Sequence, residues 1–277
     1  MVIDMHTHFF DENALGPHVI ADMERTGISP DSWRFSEETY LKATAEADRV
    51  IVFGLKAAKT GWRGRNEVVA DFVGRHLEKC IFFAAIDPGQ PGFMDELALY
   101  HTKHGCRGVK MGPIYQGVHP LDKRYYEIYE YCSHHRLPII THMATTFSSG
   151  VPLEYARPTH MDTVSCEFPD LKIILAHLGH PWEGEALGII RKQENVFADV
   201  SALYYRPWQF YNSMRLAVEY NCCNKILFGS DYPATTTAQS IEGVRSMAAF
   251  ARKHNLPELS EQVLEELIHR DALSLLF

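Results

Sequence analysis

The amino-acid sequence predicts an α/β fold, a single (β/α)8 barrel over residues 1–277 with an irregular loop after the first strand and a C-terminal helix. Eight short runs of β-branched and apolar residues alternate with eight longer segments that have helical spacing and helix-start signals. Strands that alternate with helices indicate parallel βαβ units, and near-continuous apolar runs are typical of a sheet buried on both faces. Eight units in 277 residues fit a barrel of ordinary size.

The predicted elements follow one another in a regular order. The short apolar runs predict strands at Val2–His6, Arg49–Gly54, Cys80–Ile86, Gly108–Met111, Pro138–His142, Lys172–His177, Val196–Val200 and Lys225–Asp231. The amphipathic segments predict helices at Glu37–Ala47, Glu67–Leu77, Met94–Lys103, Asp122–His135, Thr159–Phe168, Glu183–Gln193, Trp208–Tyr220 and Thr236–His254. Residues Phe9 to Phe35 are the one long irregular connection, and Leu259 to Phe277 are predicted to form an amphipathic helix that closes or packs on the barrel.

Composition and charge exclude several classes of protein. With 46% hydrophobic and 22% charged residues, the chain is neither disordered nor fibrous. Its 27 Lys and Arg against 35 Asp and Glu give a net charge of −8, which argues against nucleic acid or an anionic membrane as a partner. The six cysteines form no C-x-x-C pair, and the N-terminus has no signal-peptide pattern, so we expect a cytoplasmic protein.

A doubly wound sheet is the competing architecture. It predicts a glycine-rich phosphate-binding turn after an early strand, whereas the first strand here ends in His-Thr-His. No linker rich in Pro, Gly or Ser divides the chain, which favours the single barrel.

Metal-binding side chains stand at the carboxyl ends of the predicted strands, the face that carries the reacting groups of a (β/α)8 barrel. His6 and His8 end the first strand, and their spacing of two points both imidazoles to the same side. The fifth strand ends in His142, the sixth in His177 and the eighth in Asp231. A lone histidine is more simply a solvated or packed side chain. Their combination at four strand ends instead predicts a site for Zn²⁺ or a similar divalent ion.

Six segments carry a family pattern in a specific order and spacing: IDMHTHFF, GVKMGP, PIITHMA, FPDLKIILAHLGHPW, NVFADVSA and KILFGSDYP. Together they resemble the amidohydrolase superfamily, most closely amidohydrolase-related family 2, which includes the aminocarboxymuconate-semialdehyde decarboxylase group. The resemblance runs from Ile3 to about Tyr232. It implies a TIM barrel with one catalytic divalent metal, for which zinc is the first candidate and manganese the second.

The resemblance also implies roles for individual residues. By position, His6, His8, His142 and Asp231 match the metal ligands, and His177 matches a histidine that acts on the substrate or on a metal-bound water.

Three further groups near the site are assigned less directly. Related binuclear enzymes have a carboxylated lysine at the position of Lys110, so the resemblance leaves open one or two metals and the role of Lys110, which we keep outside the metal set. We expect Asp199 to support the site or the barrel and Asp4 to lie at the barrel floor or behind the ligands.

Candidate substrate contacts lie in the loops after the strands. Guanidinium groups bind carboxylates through two hydrogen bonds, which makes Arg63, Arg65 and Arg206 candidate anchors, although each alone is more simply a solvated loop cation. Trp182 is a candidate aromatic wall, as are Trp208, Tyr115, Tyr204 and Tyr205.

The same set of residues suits two reactions. The first is hydrolysis of a small carboxylated, lactone or amide substrate by a metal-activated water, with Asp231 as general base and His177 orienting the substrate. The alternative is non-oxidative decarboxylation of an aromatic or muconate-like acid at the same metal. A barrel that binds a metal or ligand without turnover is the remote alternative. The expected partner is a small molecule, and the resemblance suggests a homodimer.

Overall fold

Eight short strands form the centre of the fold, which we describe from a computed structural model that covers residues 1–277. The strands are β1 (Ile3–His8), β2 (Arg49–Phe53), β3 (Cys80–Phe82 with Ala84–Ala85), β4 (Val109–Met111), β5 (Ile139–Thr141), β6 (Ile173–Leu175), β7 (Val196–Asp199) and β8 (Ile226–Leu227). Every neighbouring pair along this series is parallel. In β3 the first segment pairs with β2 and the second with β4.

The first and last strands are joined by hydrogen bonds. The Met5 N–H donates to the Phe228 carbonyl at 2.9 Å, and the His8 N–H donates to the Tyr232 carbonyl at 2.8 Å. Gly229 lies where these strands approach most closely, because a Cβ there would be 2.9 Å from the Cβ of His6. A side chain at this position would push β8 away from β1.

Helices connect and surround the strands. They are α1 (Pro17–Arg25), α2 (Glu37–Ala43), α3 (Asn66–Gly74), α4 (Phe93–Lys103), α5 (Pro113–Gln116), α6 (Lys123–His135), α7 (Thr159–Glu167), α8 (Glu183–Lys192), α9 (Pro207–Glu219), α10 (Thr237–Lys253), α11 (Glu261–Ile268) and α12 (Ala272–Leu276). Several begin at side-chain caps. Thr236 and Gln239 form a reciprocal capping box on α10, and Ser36 and Asp122 cap α2 and α6. None of the helices combines the length and the hydrophobicity that crossing a lipid bilayer requires.

Alternate residues of each strand face two different cores. In β2, Ile51 and Phe53 belong to an inner cluster of 13 buried residues, whereas Val50 and Val52 belong to an outer cluster of 57. The inner cluster fills the space between the strands, and the outer one lies between strands and helices. Burial on both faces explains why the strands appear in the sequence as continuous apolar runs.

Three predicted regions differ from the structure. The connection Phe9–Phe35 is not wholly irregular, because it contains α1 and a 3-10 helix at Pro30–Trp33. The predicted terminal helix Leu259–Phe277 is divided into α11 and α12, and the Asp271 side chain starts the second helix by accepting from the Ser274 N–H at 3.2 Å. The predicted strand Lys225–Asp231 keeps only Ile226–Leu227, because the chain then turns into the site.

Candidate active site

Three side chains from the two joined strands converge at one point. A single oxygen of Asp231, Oδ1, lies 3.2 Å from Nε2 of His6 and 3.3 Å from Nε2 of His8. All three ligand atoms lie within 4.8 Å of one another. Asp231 reaches this point from a left-handed backbone conformation, with a φ of 61° and its N–H donated to the His6 carbonyl at 2.8 Å. Such a conformation in a non-glycine residue is typical of functional sites.

The ring of His6 is held from behind. Its Nδ1 lies 2.9 Å from Oδ2 of Asp199, a carboxylate buried at the end of β7. Because the ionised carboxylate only accepts hydrogen bonds, Nδ1 carries the proton and Nε2 presents a lone pair toward Asp231. The Ser201 hydroxyl also donates to Asp199.

His142 and His177 form a second pair beside this group. Nδ1 of His142 lies 3.1 Å from Nε2 of His177. Each outer nitrogen faces a carbonyl oxygen, that of Thr145 at 3.2 Å from His142 and that of Ser201 at 3.0 Å from His177. Carbonyls accept only, so both outer nitrogens carry protons when the rings are neutral. Two lone pairs then face each other, an arrangement that a cation or an additional proton stabilises.

A buried lysine completes the cluster. Nζ of Lys110 lies 3.0 Å from Nε2 of His6 and 4.6 Å from the centre of the Phe53 ring. Burial lowers the pKa of Lys110 to about 8, against the opposing effect of Asp199 and Asp231.

Burial also sets the charge states of the other groups. It lowers the pKa of His177 to about 4, so this ring is neutral at pH 7. Burial alone would raise the pKa of Asp231, but the neighbouring His177 and a hydrogen bond from His8 bring it well below its usual value. The site therefore presents an ionised carboxylate beside neutral imidazoles.

These residues fit a divalent metal. Nε2 of His6, Nε2 of His8 and Oδ1 of Asp231 are oriented toward a common point. Asp199 fixes the metal-binding tautomer of His6, as a carboxylate behind a histidine ligand does in many metalloproteins. Nδ1 of His142 is the next donor, but it does not lie within the same 4.8 Å group. Lys110 contacts His6 on its free nitrogen, and that contact must be exchanged when an ion binds there.

A cavity of about 700 Å³ opens above the cluster. Its apolar wall includes Trp33, Trp62, Phe147, Tyr115 and Leu55, and its polar residues include His8, Lys110, His142, His177, His180, Asp231 and Arg206. Arg206 lies over the Tyr205 ring at 4.6 Å and donates to the Ala202 carbonyl at 3.0 Å. Its remaining donors are available to a ligand.

A family model described as amidohydrolase matches residues 3–277. The chain belongs to the amidohydrolase family. This finding confirms the family expected from the sequence segments. No curated protein matches this amidohydrolase.

Solved structures share the fold of this amidohydrolase at low sequence identity. An uncharacterized TIM-barrel protein of Bordetella bronchiseptica has a TM-score of 0.75 and 19% identity, covering 99% of this chain and 98% of its own. A probable 2-pyrone-4,6-dicarboxylic acid hydrolase of Acinetobacter baumannii, with citric acid bound, has a TM-score of 0.69 and 15% identity, and the match covers 99% of this chain and 98% of the hydrolase chain. A dihydroxybenzoic acid decarboxylase of Polaromonas sp. JS666, with bound manganese and 2-nitroresorcinol, has a TM-score of 0.69 and 14% identity, and the match covers 99% of this chain and 96% of the decarboxylase chain. The predicted TIM-barrel fold is confirmed.

Of the four predicted substrate contacts Arg63, Arg65, Arg206 and Trp182, one lines the cavity. Arg206 lines the cavity, but Arg63, Arg65 and Trp182 are not among its lining residues. Arg65 is paired with Asp11, its Nε donating at 2.8 Å, and this ion pair holds it in the loop. Trp182 lies under the guanidinium of Arg157. Arg63 is exposed at the end of a short antiparallel hairpin formed by Lys56–Ala57 and Trp62–Arg63.

Sequence reasoning missed several site residues of this amidohydrolase. Ser201, Thr145, Trp33, Trp62 and Phe147 all contact the histidines or line the cavity. Ser201 follows Asp199 by two residues, which places it at the same strand end and was a usable signal. The other four lie in long connections, where no local pattern fixes the direction of a side chain.

Proposed function

We propose that this member of the amidohydrolase family is a metal-dependent, non-oxidative decarboxylase of a small aromatic carboxylic acid. The observation that carries the proposal is the cavity, in which an aromatic wall and one available guanidinium face the His and Asp cluster. Hydrolysis, the first choice from the sequence, becomes the second candidate. The dihydroxybenzoic acid decarboxylase and the pyrone dicarboxylic acid hydrolase have the same TM-score, so the preference depends on the cavity.

The wall suits a flat, conjugated ring. Trp33 and Trp62 lie 5.4 Å apart between ring centres, and Phe147 packs against both at 6.5 and 6.3 Å. Aromatic side chains favour such a ring through stacked and edge contacts. The guanidinium of Arg206 supplies one contact for an anionic group, which fits a substrate with one carboxylate or phenolate outside the metal site.

His6, His8 and Asp231 would hold the metal, with His142 as a further donor. When bound, a divalent ion there supplies a Lewis acid that holds a substrate carboxylate or a neighbouring oxygen. A zinc or a manganese ion suits this donor set, and manganese is bound in the similar decarboxylase.

The residues of the chain would manage one proton. Decarboxylation adds a proton to the carbon that bears the carboxylate, and the C–C bond then breaks to release CO₂. Asp231 is ionised and can accept a proton from the substrate or water, and this proton goes to the carbon that bears the carboxylate. Neutral His177 can relay it there through Nε2 while its Nδ1–H remains on the Ser201 carbonyl.

The test is an assay of two products. Protein reconstituted with Zn²⁺ or Mn²⁺ is incubated with panels of hydroxybenzoates, lactones and amides while CO₂ and acid are measured separately. We expect CO₂ release from at least one hydroxybenzoate. Acid production from a lactone or amide, with no CO₂ from any benzoate, would establish the hydrolase instead. Stoichiometric metal with no product from any panel would favour a binding protein.

A variant at His177 separates catalysis from metal binding. We expect His177→Asn to retain one divalent ion per chain and to lose at least about 100-fold in kcat, because it removes a proton-transferring group. Exposed His134 offers a matched control, and His134→Asn should leave both quantities unchanged. If His177→Asn loses the ion, His177 is a ligand and its assigned role is wrong.

A further inference from the structure

Two loops from distant parts of the chain build the outer wall of the cavity. The connection after β1 contributes Thr26, Ile28, Ser32 and Trp33, and the loop after β5 contributes Thr145, Thr146 and Phe147. Neither loop is part of the barrel, so the shape of the wall depends on how the loops are held together.

One carboxylate joins them. Asp22 of α1 is only 5% exposed, and its Oδ2 accepts the Ser149 N–H at 2.6 Å while its Oδ1 accepts the Ser149 hydroxyl at 3.0 Å. Arg25 donates to Oδ1 of Asp22 at 3.0 Å and to the Phe147 carbonyl at 3.0 Å, through the same Nη2. Nε2 of His18 lies 3.3 Å from Oδ2 of Asp22, the oxygen that accepts the Ser149 N–H. Both Asp22 oxygens are thus committed to holding the second loop.

We propose that Asp22 is a positioning residue that latches the loop after β5 onto α1 and thereby sets the aromatic wall for substrate binding. The inference extends the proposed function, since its kinetic consequence requires a substrate, whereas the latch itself is a property of the free protein. Asp22 does not line the cavity, so its effect must pass through Phe147 and Trp33.

The geometry explains why a carboxylate is required. The Ser149 N–H on Oδ2 and the Arg25 guanidinium on Oδ1 can only donate, and both oxygens of an ionised carboxylate accept. An asparagine has nearly the same shape but turns one acceptor into an NH₂ donor, which would face either the Ser149 N–H or Arg25. Asp22→Asn therefore removes the latch with little change in volume.

The consequence for the wall follows from its contacts. Phe147 touches Trp33 edge-on, and the indole N–H of Trp62 lies 3.5 Å from the Ser148 hydroxyl. Release of Ser149 frees the neighbouring segment that carries these contacts. Phe147 then moves away from Trp33, and Trp33 becomes accessible to solvent. Substrate must then order the wall as it binds, which raises KM more than it lowers kcat.

The experiment compares Asp22→Asn and Asp22→Ala with a matched control. Asp162 of α7 is also a helical carboxylate whose two oxygens accept from another segment, from Lys192 at 2.8 Å and Gln193 at 2.7 Å, but it is not among the residues that line the cavity. Asp162→Asn should therefore show neither effect. Hydrogen exchange is measured in residues 145–151, together with acrylamide quenching of tryptophan fluorescence, thermal unfolding and steady-state kinetics.

For both Asp22 variants we expect at least tenfold faster exchange in residues 145–151, increased quenching, a KM raised at least tenfold and a kcat within about threefold of the original protein. Unchanged exchange and quenching would overturn the latch, whatever the kinetics show. Faster exchange throughout the barrel strands would also overturn it, since Asp22 would then support the whole fold. If no substrate is turned over, the proposed function fails while the exchange data still decide the latch.

Discussion

Asp199 decides which nitrogen of His6 is free to bind a metal. Its Oδ2 lies 2.9 Å from Nδ1 of His6 and keeps the proton on that nitrogen. Burial alone would raise the pKa of Asp199, but the nearby His6 and His177 outweigh this effect and lower the pKa, so the carboxylate stays ionised. The Ser201 hydroxyl supports the same carboxylate. A ligand oriented in this way loses no freedom when an ion binds, so the carboxylate contributes to metal affinity without touching the metal.

We therefore predict that Asp199→Asn weakens binding of Zn²⁺ by about 10- to 100-fold, the usual cost of losing such a partner. The dissociation constant is measured by competition with a chromophoric chelator. Asp170→Asn, on an exposed loop, serves as the control and should leave affinity unchanged. An unaltered constant for Asp199→Asn would mean that the charge of Asp199 does not contribute to metal affinity.

At the level of single residues, the sequence predicts some positions well and others poorly. His6 and His8 could be found because alternate residues of a strand face the same side, and Asp231 because it follows the last predicted strand at the carboxyl face of the barrel. The contact of Arg65 with Asp11 could not, because its partner is 54 residues away and no local rule pairs them. The orientation of His142 also depends on a loop carbonyl, that of Thr145.

Among the helices, α6 shows how a single cap can fix the start of an element. Asp122 accepts the Arg124 N–H at 3.0 Å and pairs with the Arg124 guanidinium at 2.8 Å. The hydrogen bonds from Arg124 lower the pKa of Asp122 to about 2, from an ordinary value of 3.8. The sequence placed the start of this helix at Asp122, because a capping residue leaves a local signal.

We predict that Asp122→Ala lowers the free energy of unfolding by about 1 kcal/mol at pH 7, the typical cost of losing a cap. Because the pKa is depressed in the folded state, the ionised carboxylate stabilises the protein fully above about pH 4, and this contribution is lost as the pH falls through about 2. The difference between the two proteins should thus be smaller at pH 3 than at pH 7 in urea unfolding.

Asp122→Asn separates the cap from the charge. Asparagine caps helices about as well as aspartate, so it should lose less stability than alanine at pH 7 and show little change with pH. Equal losses for the two variants would assign the effect to the ion pair with Arg124.

Over the whole molecule, the alternation of eight apolar runs with amphipathic segments was enough to predict the barrel, because sheet burial and helix packing both leave periodic traces in sequence. For the base of the barrel the sequence predicted a terminal helix that closes or packs on it, but not which residues would enter the inner cluster. α12 places Ala272 and Leu276 in the inner cluster with Ile3, Met5 and Phe83, and this contact joins the two ends of the chain. A five-residue helix that meets residues at least 189 positions away has too short a pattern to reveal its partner.

The packing of α12 makes the last turn of the chain a determinant of global stability. Leu276 is 4% exposed and fills the inner cluster from the face opposite to the metal site, so Leu276→Ala leaves a cavity beneath the strands. We predict a loss of about 3 kcal/mol in the free energy of unfolding, within the range of buried Leu→Ala changes, with an unchanged urea m-value. Leu77→Ala, at a position that is 67% exposed, should cost less than about 0.5 kcal/mol. If the two variants unfold at the same urea concentration, α12 does not close the barrel, and the inner cluster is stable without it.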